Sequence, residues 1–354
     1  MVTSAARNKF STLKWIVFDL YGVCKTGNVE LNARLQFYFE QLDTINNRAD
    51  LLAFALILPR IFLQRYELPI YHYTSPEAFF SMFSGDKNNK EENKKSSLCL
   101  HLSRFDLLND MSEGQEVIHF LSYAGLKLFS EHAVSKDENG LYRIWENIPE
   151  LLKACTRNQS HNEWYVACFS SDRDSLPMWN YYLKNGRYEG YNIGLKPEYM
   201  KNLLIGKVVY EDKDKEKLCY AFIKKANECI KNDKSDIPVE QILYSFIVSW
   251  RLLFKASYFK HEEEARIIIV LPQEGKEYKV DYKVSGGLLV PYIKEYFYPS
   301  IEDGELVLDS VTIAPALHLS QKEAAKETTI KFLHDRGFKI DIDKVMNSVI
   351  PVRF

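Results

Sequence analysis

The chain has 354 residues, 46% apolar, 27% charged and 14% aromatic; this exceeds one typical domain of about 150 residues and carries no bias toward disorder. Forty-six basic against 48 acidic residues leave a formal charge of −2, so no global field draws in nucleic acid or an anionic membrane. Six cysteines (Cys24, Cys99, Cys155, Cys168, Cys219, Cys229) form no CxxC pair and no Cys/His group at zinc-ligand spacing, which reads as buried thiols in a reducing compartment with no metal expected.

Residues 1–67 read as a helical N-terminal extension, with helical stretches at Leu13–Val23, Val29–Leu42 and Arg48–Arg65. The sequence begins with no charged, apolar and small-residue succession of a secretory signal, which makes a cytoplasmic location the expectation. The oily run Leu51–Leu58 meets Pro59 and Arg60, far short of the ~20 residues of a membrane span, and reads as a core helix with no membrane partner. Trp15 to Val23 resembles the nucleophile strand of haloacid-dehalogenase-type hydrolases, with Asp19 as the nucleophile. The helices expected over 24–67 leave no room for the further acidic strands that chemistry requires.

The α+β body, 68–354, opens with a strand at Ile70–Thr74 and a short helix at Pro76–Phe83. Gly85–Ser97 contains no apolar residue and reads as a solvated loop. A strand at Cys99–Phe105 is followed by helices at Asp110–Glu131 and Leu141–Cys155, a strand at Trp164–Phe169, a helix at Leu176–Leu183, and strands at Tyr188–Leu195 and Lys207–Glu211. Two long helices, Asp214–Ile230 and Val239–Tyr258, lead into strands at Glu264–Leu271, Glu277–Lys283, Gly287–Ile293 and Leu306–Ile313, and a helix at Gln321–Arg336. No GxxxxGK[ST], GxGxxG or GxSxG motif is present, which removes support for P-loop, Rossmann and serine-hydrolase chemistry. His261-Glu262-Glu263-Glu264-Ala265 starts like a zinc-protease helix but has Ala in place of the second His.

Four polar-aromatic clusters lie at element edges. In Tyr71-His72-Tyr73-Thr74-Ser75 the strand period places His72 and Thr74 on one face and both tyrosines on the other. Asn109, Asp110 and Glu113 have the spacing of a capping box. Phe169-Ser170-Ser171 precedes a helix that carries Trp179 and Tyr182 three residues apart, an arrangement suited either to packing or to walling a planar ring. Glu262, Glu264 and Arg266, read as one strand, share a face whose burial without partners is costly.

In this order the clusters resemble a bacterial family of uncharacterised proteins, domain of unknown function 2971: His72-Tyr73-Thr74-Ser75, Asn109-Asp110 with Glu113, Phe169-Ser170 with Met178-Trp179 and Tyr182, Glu262-x-Glu264-x-Arg266, then Ser348, Pro351 and Arg353. The likeness spans about 70–354 and departs at Phe259, where Trp is commoner, and at Met111, where Pro is. The order also resembles that of ADP-ribosyltransferases, which implies a split mixed or antiparallel sheet with surrounding helices. It implies NAD as substrate: His72, with Tyr73 and Thr74, against a ribose; Ser170 in the cleft; Trp179 or Tyr182 on the nicotinamide; Glu264 or Glu262 on the ribose 2′-hydroxyl; Arg266 on the pyrophosphate or the glutamates. Glu264, Glu262 and His72 are then the catalytic candidates, in a toxin or phage-defence effector acting on an unknown protein or nucleic-acid acceptor. The other reading is a non-catalytic module that senses a nucleotide or captures a partner protein through the N-terminal helices.

Overall fold

The computed structural model describes residues 38–62, 68–83, 97–108, 114–131, 162–183, 188–197, 200, 203–232, 237–272, 278–297, 308–315 and 319–351. The expected helices at Leu13–Val23 and Leu141–Cys155, most of the one at Val29–Leu42, the Asp19 motif, and Asn109, Asp110, Glu113 and Arg353 lie outside the described residues, as does most of the lysine-rich loop.

The chain forms two compact units. One is helical: α1 (Arg48–Phe62), α3 (Glu116–Glu131), α5 (Asp212–Asn232) and α6 (Val239–Trp250). Helix α1, expected in a separate extension, belongs with helices from the middle of the chain and packs on α6, while α3 packs on α5. Arg48 donates to the carbonyls of Ile230 and Ile237 at 3.3 and 3.2 Å, and the Ser249 hydroxyl donates to Ala55 at 2.8 Å. Phe222 and Phe246 stack with centroids 3.9 Å apart. Lys215 is fully buried and bonded by Glu116 at 2.9 Å and Asp212 at 3.2 Å, the pairing a buried ammonium needs.

The second unit carries an α+β architecture around a mixed, largely antiparallel sheet. Its strands are β1 (Ile70–Thr74), β2 (Leu98–Arg104), β3 (Asn162–Ser170), β4 (Tyr191–Leu195), β5 (Leu204–Lys207), β6 (Glu264–Pro272), β7 (Asp281–Ser285), β8 (Leu288–Phe297), β9 (Leu308–Ile313) and β10 (Val345–Asn347). They run in the order β10-β9-β4-β1-β3-β2-β8-β7, with β6 pairing β3 and β5; β9 and β10 are parallel. Helices α2 (Pro76–Met82), α4 (Leu176–Tyr182) and α7 (Leu319–Asp335) accompany the sheet. Ser75 caps α2, its hydroxyl accepting from Ala78 at 3.3 Å, and Pro76 opens the helix with a preset φ. Gly286 and Gly287, at φ 57° and 77°, form the left-handed turn that joins β7 to β8.

Alternation sorts the strands into two faces. One face of β1–β4, β6, β8 and β9 gives the main core, including Leu98, Leu100, Leu102, Tyr165, Phe169, Ile193, Ile267 and Val311. Tyr73, Met178, Trp179, Leu183 and Ala314 form a smaller core beneath α4. Gly190 is required where that core meets β1, because a Cβ there would lie 2.5 Å from the Thr74 carbonyl.

Three expected bounds are corrected. The helix expected to reach Tyr258 stops at Trp250, and Ser257–Glu262 forms a 3-10 helix instead. The strand expected at Lys207–Glu211 is β5, at Leu204–Lys207. Glu262 ends that 3-10 helix and does not belong to β6, so the three-residue row Glu262, Glu264 and Arg266 is broken at Glu263, whose φ is +44°.

Candidate functional site

Strand β1 meets β3 through the pair Tyr71 and Ser170, and its whole length pairs with β4. Beside that junction the His72 Nδ1 lies 3.1 Å from the Cys168 carbonyl. A carbonyl only accepts, so Nδ1 carries the proton. Burial, opposed by that bond and reinforced by Lys283, holds the imidazole below its ordinary pKa. His72 is thus neutral at pH 7, with Nε2 as an acceptor, and its ring lies 5.2 Å from Phe169.

Tyr73 and Ser170 hold the loop between β3 and α4. The Tyr73 hydroxyl donates to the Asp172 carbonyl at 2.8 Å and accepts from the Ser175 amide at 2.9 Å. Ser170 donates to the Glu262 carbonyl at 2.8 Å and accepts from the Asp172 amide at 3.0 Å. Thr74 is buried. Trp179, a candidate wall for a planar ring, is fully buried; it sits edge-on to Tyr73 at 4.6 Å and its indole N–H donates to Asp174 at 2.8 Å. Its ring faces are core surface.

Asp174 carries no motif signal in the sequence, yet it ties this loop to the C-terminal segment. Besides Trp179 it accepts from the Ser348 hydroxyl at 2.7 Å and the Val349 amide at 2.9 Å. Ser348 therefore owes its place to clamping the loop that presents α4.

On β6, Arg266 grips Glu264 through Nε to Oε1 at 2.8 Å and Nη2 to Oε2 at 3.1 Å, both side chains being buried. The guanidinium lies 5.7 Å from the Phe105 ring centroid. Tyr182 joins the cluster: its hydroxyl is raised well above the ordinary value, by burial first and then by Cys168, Glu264 and Glu262, with Arg266 opposing. The Cys168 carbonyl receives His72 and the Ser170 hydroxyl reaches the Glu262 carbonyl, so the end of β3 links β1 to the segment that leads into β6. Alongside, the left-handed turn at Glu263 is stitched to Ser171, whose amide donates to the Glu263 carbonyl at 3.0 Å and whose hydroxyl donates to its carboxylate at 2.7 Å.

A second group, missed in the sequence, lies on β2, β7 and β8. Register places His101 opposite Lys294, Ser103 opposite Tyr292, and Asp281 opposite Tyr292. His101 and Tyr292 have ring centroids 4.3 Å apart, and the Lys283 and Lys294 ammoniums lie 5.6 and 5.7 Å from the Tyr292 centroid. Lys294 bonds Asp281 at 2.7 Å, with Lys279 at 3.6 Å from the same carboxylate. His101 remains exposed as a residue, but crowding of its ring, then Lys283 and Lys294, bring its pKa down to about 4, against Asp281; His72 also lowers it. The signal was faint: a lone His after the apolar run Leu98-Cys-Leu100, and the alternation Tyr292-Ile-Lys294-Glu-Tyr296.

Among the described residues no three His, Cys, Asp or Glu side chains are grouped as a metal site would need, and no helix is long and apolar enough to cross a membrane. No family model, no curated protein and no solved structure matches the chain.

Proposed function

We propose that the sheet unit binds an NAD-type dinucleotide and cleaves its nicotinamide glycosidic bond, with Glu262 as the catalytic carboxylate. The observation that carries this reading is that the end of β3 joins both candidates, the Cys168 carbonyl bonding the His72 ring and the Ser170 hydroxyl donating to the Glu262 carbonyl. In the reaction the C1′–N bond breaks and its electron pair leaves with nicotinamide. The oxygen of water, or of an acceptor hydroxyl, bonds C1′ and gives up its proton to the Glu262 carboxylate. That carboxylate also stabilises the oxocarbenium-like charge as it develops. His72 Nε2 accepts from a ribose hydroxyl, and Tyr182 supplies the aromatic surface assigned in the sequence to either Trp179 or Tyr182.

The buried Glu264–Arg266 pair gives these two residues a positioning role in this scheme, fixing the start of β6. Arg266, with its fork closed on Glu264, is a poor ligand for a pyrophosphate.

A second reading, a non-catalytic nucleotide sensor, is favoured by the burial of Trp179 and of the Glu264 carboxylate. Incubating the purified full chain with NAD and measuring free nicotinamide separates the two. The catalytic reading expects release that falls by about two orders of magnitude in Glu262→Gln, the scale of losing a general base; the sensor reading expects NAD to be bound and recovered intact.

A further inference from the structure

Strand β7 ends the strand order, paired by β8 on one side and, among the described residues, by no strand on the other. Such an edge is a template for a further strand, and proteins ordinarily blunt it with bulges or prolines. β7 has neither: Asp281 to Ser285 pair with Tyr292 to Leu288 without a break in register, and Gly286-Gly287 closes the hairpin as a two-residue turn. That turn makes Ser285 and Leu288 a hydrogen-bonded pair. By alternation Lys283 and Asp281 also bond β8, while the N–H and carbonyl groups of Tyr282 and Val284 point outward from the sheet. Apolar side chains flank this open edge: Tyr282 and Val284 are 62% and 77% exposed, and Leu289, opposite Val284 on the same face, is 64% exposed.

We propose that β7 is a self-association edge, on which β7 of a second copy of this chain docks antiparallel about a two-fold axis at Tyr282. Two constraints select this register. Outward backbone groups must meet outward ones, which sets even-numbered residues opposite even-numbered ones, and like charges directly opposite each other destabilise a strand pair. An axis at Asp281 would bring two carboxylates face to face, and an axis at Lys283 two ammoniums. The axis at Tyr282 sets Asp281 of each copy opposite Lys283 of the other, at the non-hydrogen-bonded positions where side chains come closest. These contacts add to those within each chain: Asp281 keeps Lys294 at 2.7 Å, and Lys283 stays beside the Tyr292 ring while its ammonium offers three donors. On the other face the two Tyr282 rings meet and Val284 lies opposite Val280, removing apolar surface from water. A strand whose acid and base stand two residues apart is complementary to its own reverse, which points to a second copy and not to a foreign peptide. Because the same edge serves both copies, the contact closes as a dimer and does not propagate. It stands independently of the nucleotide reading above.

The test is sedimentation velocity of the purified full chain over a concentration series reaching about 300 µM, where a monomer–dimer equilibrium is expected with a Kd on the order of 10–100 µM, in keeping with an interface below the standard size. The dimer should weaken as salt rises. Val284→Pro removes an N–H that only the second copy uses, on an edge strand where proline is tolerated. By symmetry it deletes two hydrogen bonds and should weaken the dimer about thirtyfold, while the melting temperature of the dilute monomer stays near that of wild type. Lys283→Glu alone and Asp281→Lys alone set like charges opposite each other and should each weaken self-association about tenfold. Mixed in equal amounts, these two variants should form a heterodimer as readily as wild type self-associates, because both opposite-charge pairs are restored between them. A wild-type chain that stays monomeric at the highest concentration overturns the proposal, including when an unrelated extended peptide binds β7. So does a dimer that Val284→Pro leaves unchanged, or a pair of charge variants that fail to recombine.

Discussion

Glu264 and Arg266 stand two residues apart on one strand and hold each other through two bonds, at 2.8 and 3.1 Å, inside the protein. Removing one partner leaves the other charge buried, so Glu264→Gln and Arg266→Met are each expected to cost about 3–5 kcal/mol. Replacing both with apolar residues of similar volume should recover much of that loss. Urea denaturation of the two single variants and the Glu264→Leu/Arg266→Met double variant checks this; additive losses would show that the pair is not coupled.

The turn at Glu263 places a residue with a side chain at φ +44°, a conformation that glycine adopts without strain. Glu263→Gly and Glu263→Ala both delete the carboxylate that holds Ser171, but only the first relieves the backbone. The glycine variant should be more stable than the alanine variant by about 1 kcal/mol. Thermal melts of the pair decide it, and equal stability would mean the turn carries no strain.

Asp174 gathers three donors, from Trp179, Ser348 and Val349. Asp174→Ala is expected to cost about 2–3 kcal/mol, since it orphans a buried indole N–H as well as breaking bonds to a charged group, and Ser348→Ala about 1 kcal/mol. The loss should also appear as a shift in tryptophan emission, because Trp179 loses its polar anchor. A Ser348→Ala variant as damaged as Asp174→Ala would contradict the division of labour.

His72 and His101 both titrate below their ordinary range. As pH falls below the unfolded value of about 6.5, the unfolded chain takes up protons that these folded imidazoles refuse. Stability therefore declines with acidification down to the folded pKa, about 4 for His101. Between pH 7 and pH 5 the melting temperature should drop, and His101→Asn should flatten part of the slope. A slope unchanged in that variant would show that His101 does not contribute.

The strand β1 was legible to the residue because Ile70–Thr74 is β-branched and aromatic throughout and is bounded by Pro69 and the Ser75-Pro76 cap. Helix α4 was legible from Pro177 and the spacing of Met178, Trp179 and Tyr182. The position of Glu262 was not, since three consecutive glutamates give no sign that the middle one turns left-handed. Nor was the end of α6 at Trp250, where neither Gly nor Pro interrupts an apolar run that continues through Leu253 and Phe254. The grouping of α1 with α3, α5 and α6 is decided by packing across distant sequence, which local periodicity does not encode. The same holds for His101 and Tyr292, brought together by the register of β2 on β8.

The most direct test of the proposed chemistry is a time course of nicotinamide appearing from NAD with purified full chain, beside the Glu262→Gln variant brought to the same folded fraction. The account predicts steady release by the wild type and about a hundredfold less by the variant. NAD that stays whole with the wild type, or release as fast without the Glu262 carboxylate as with it, would contradict it.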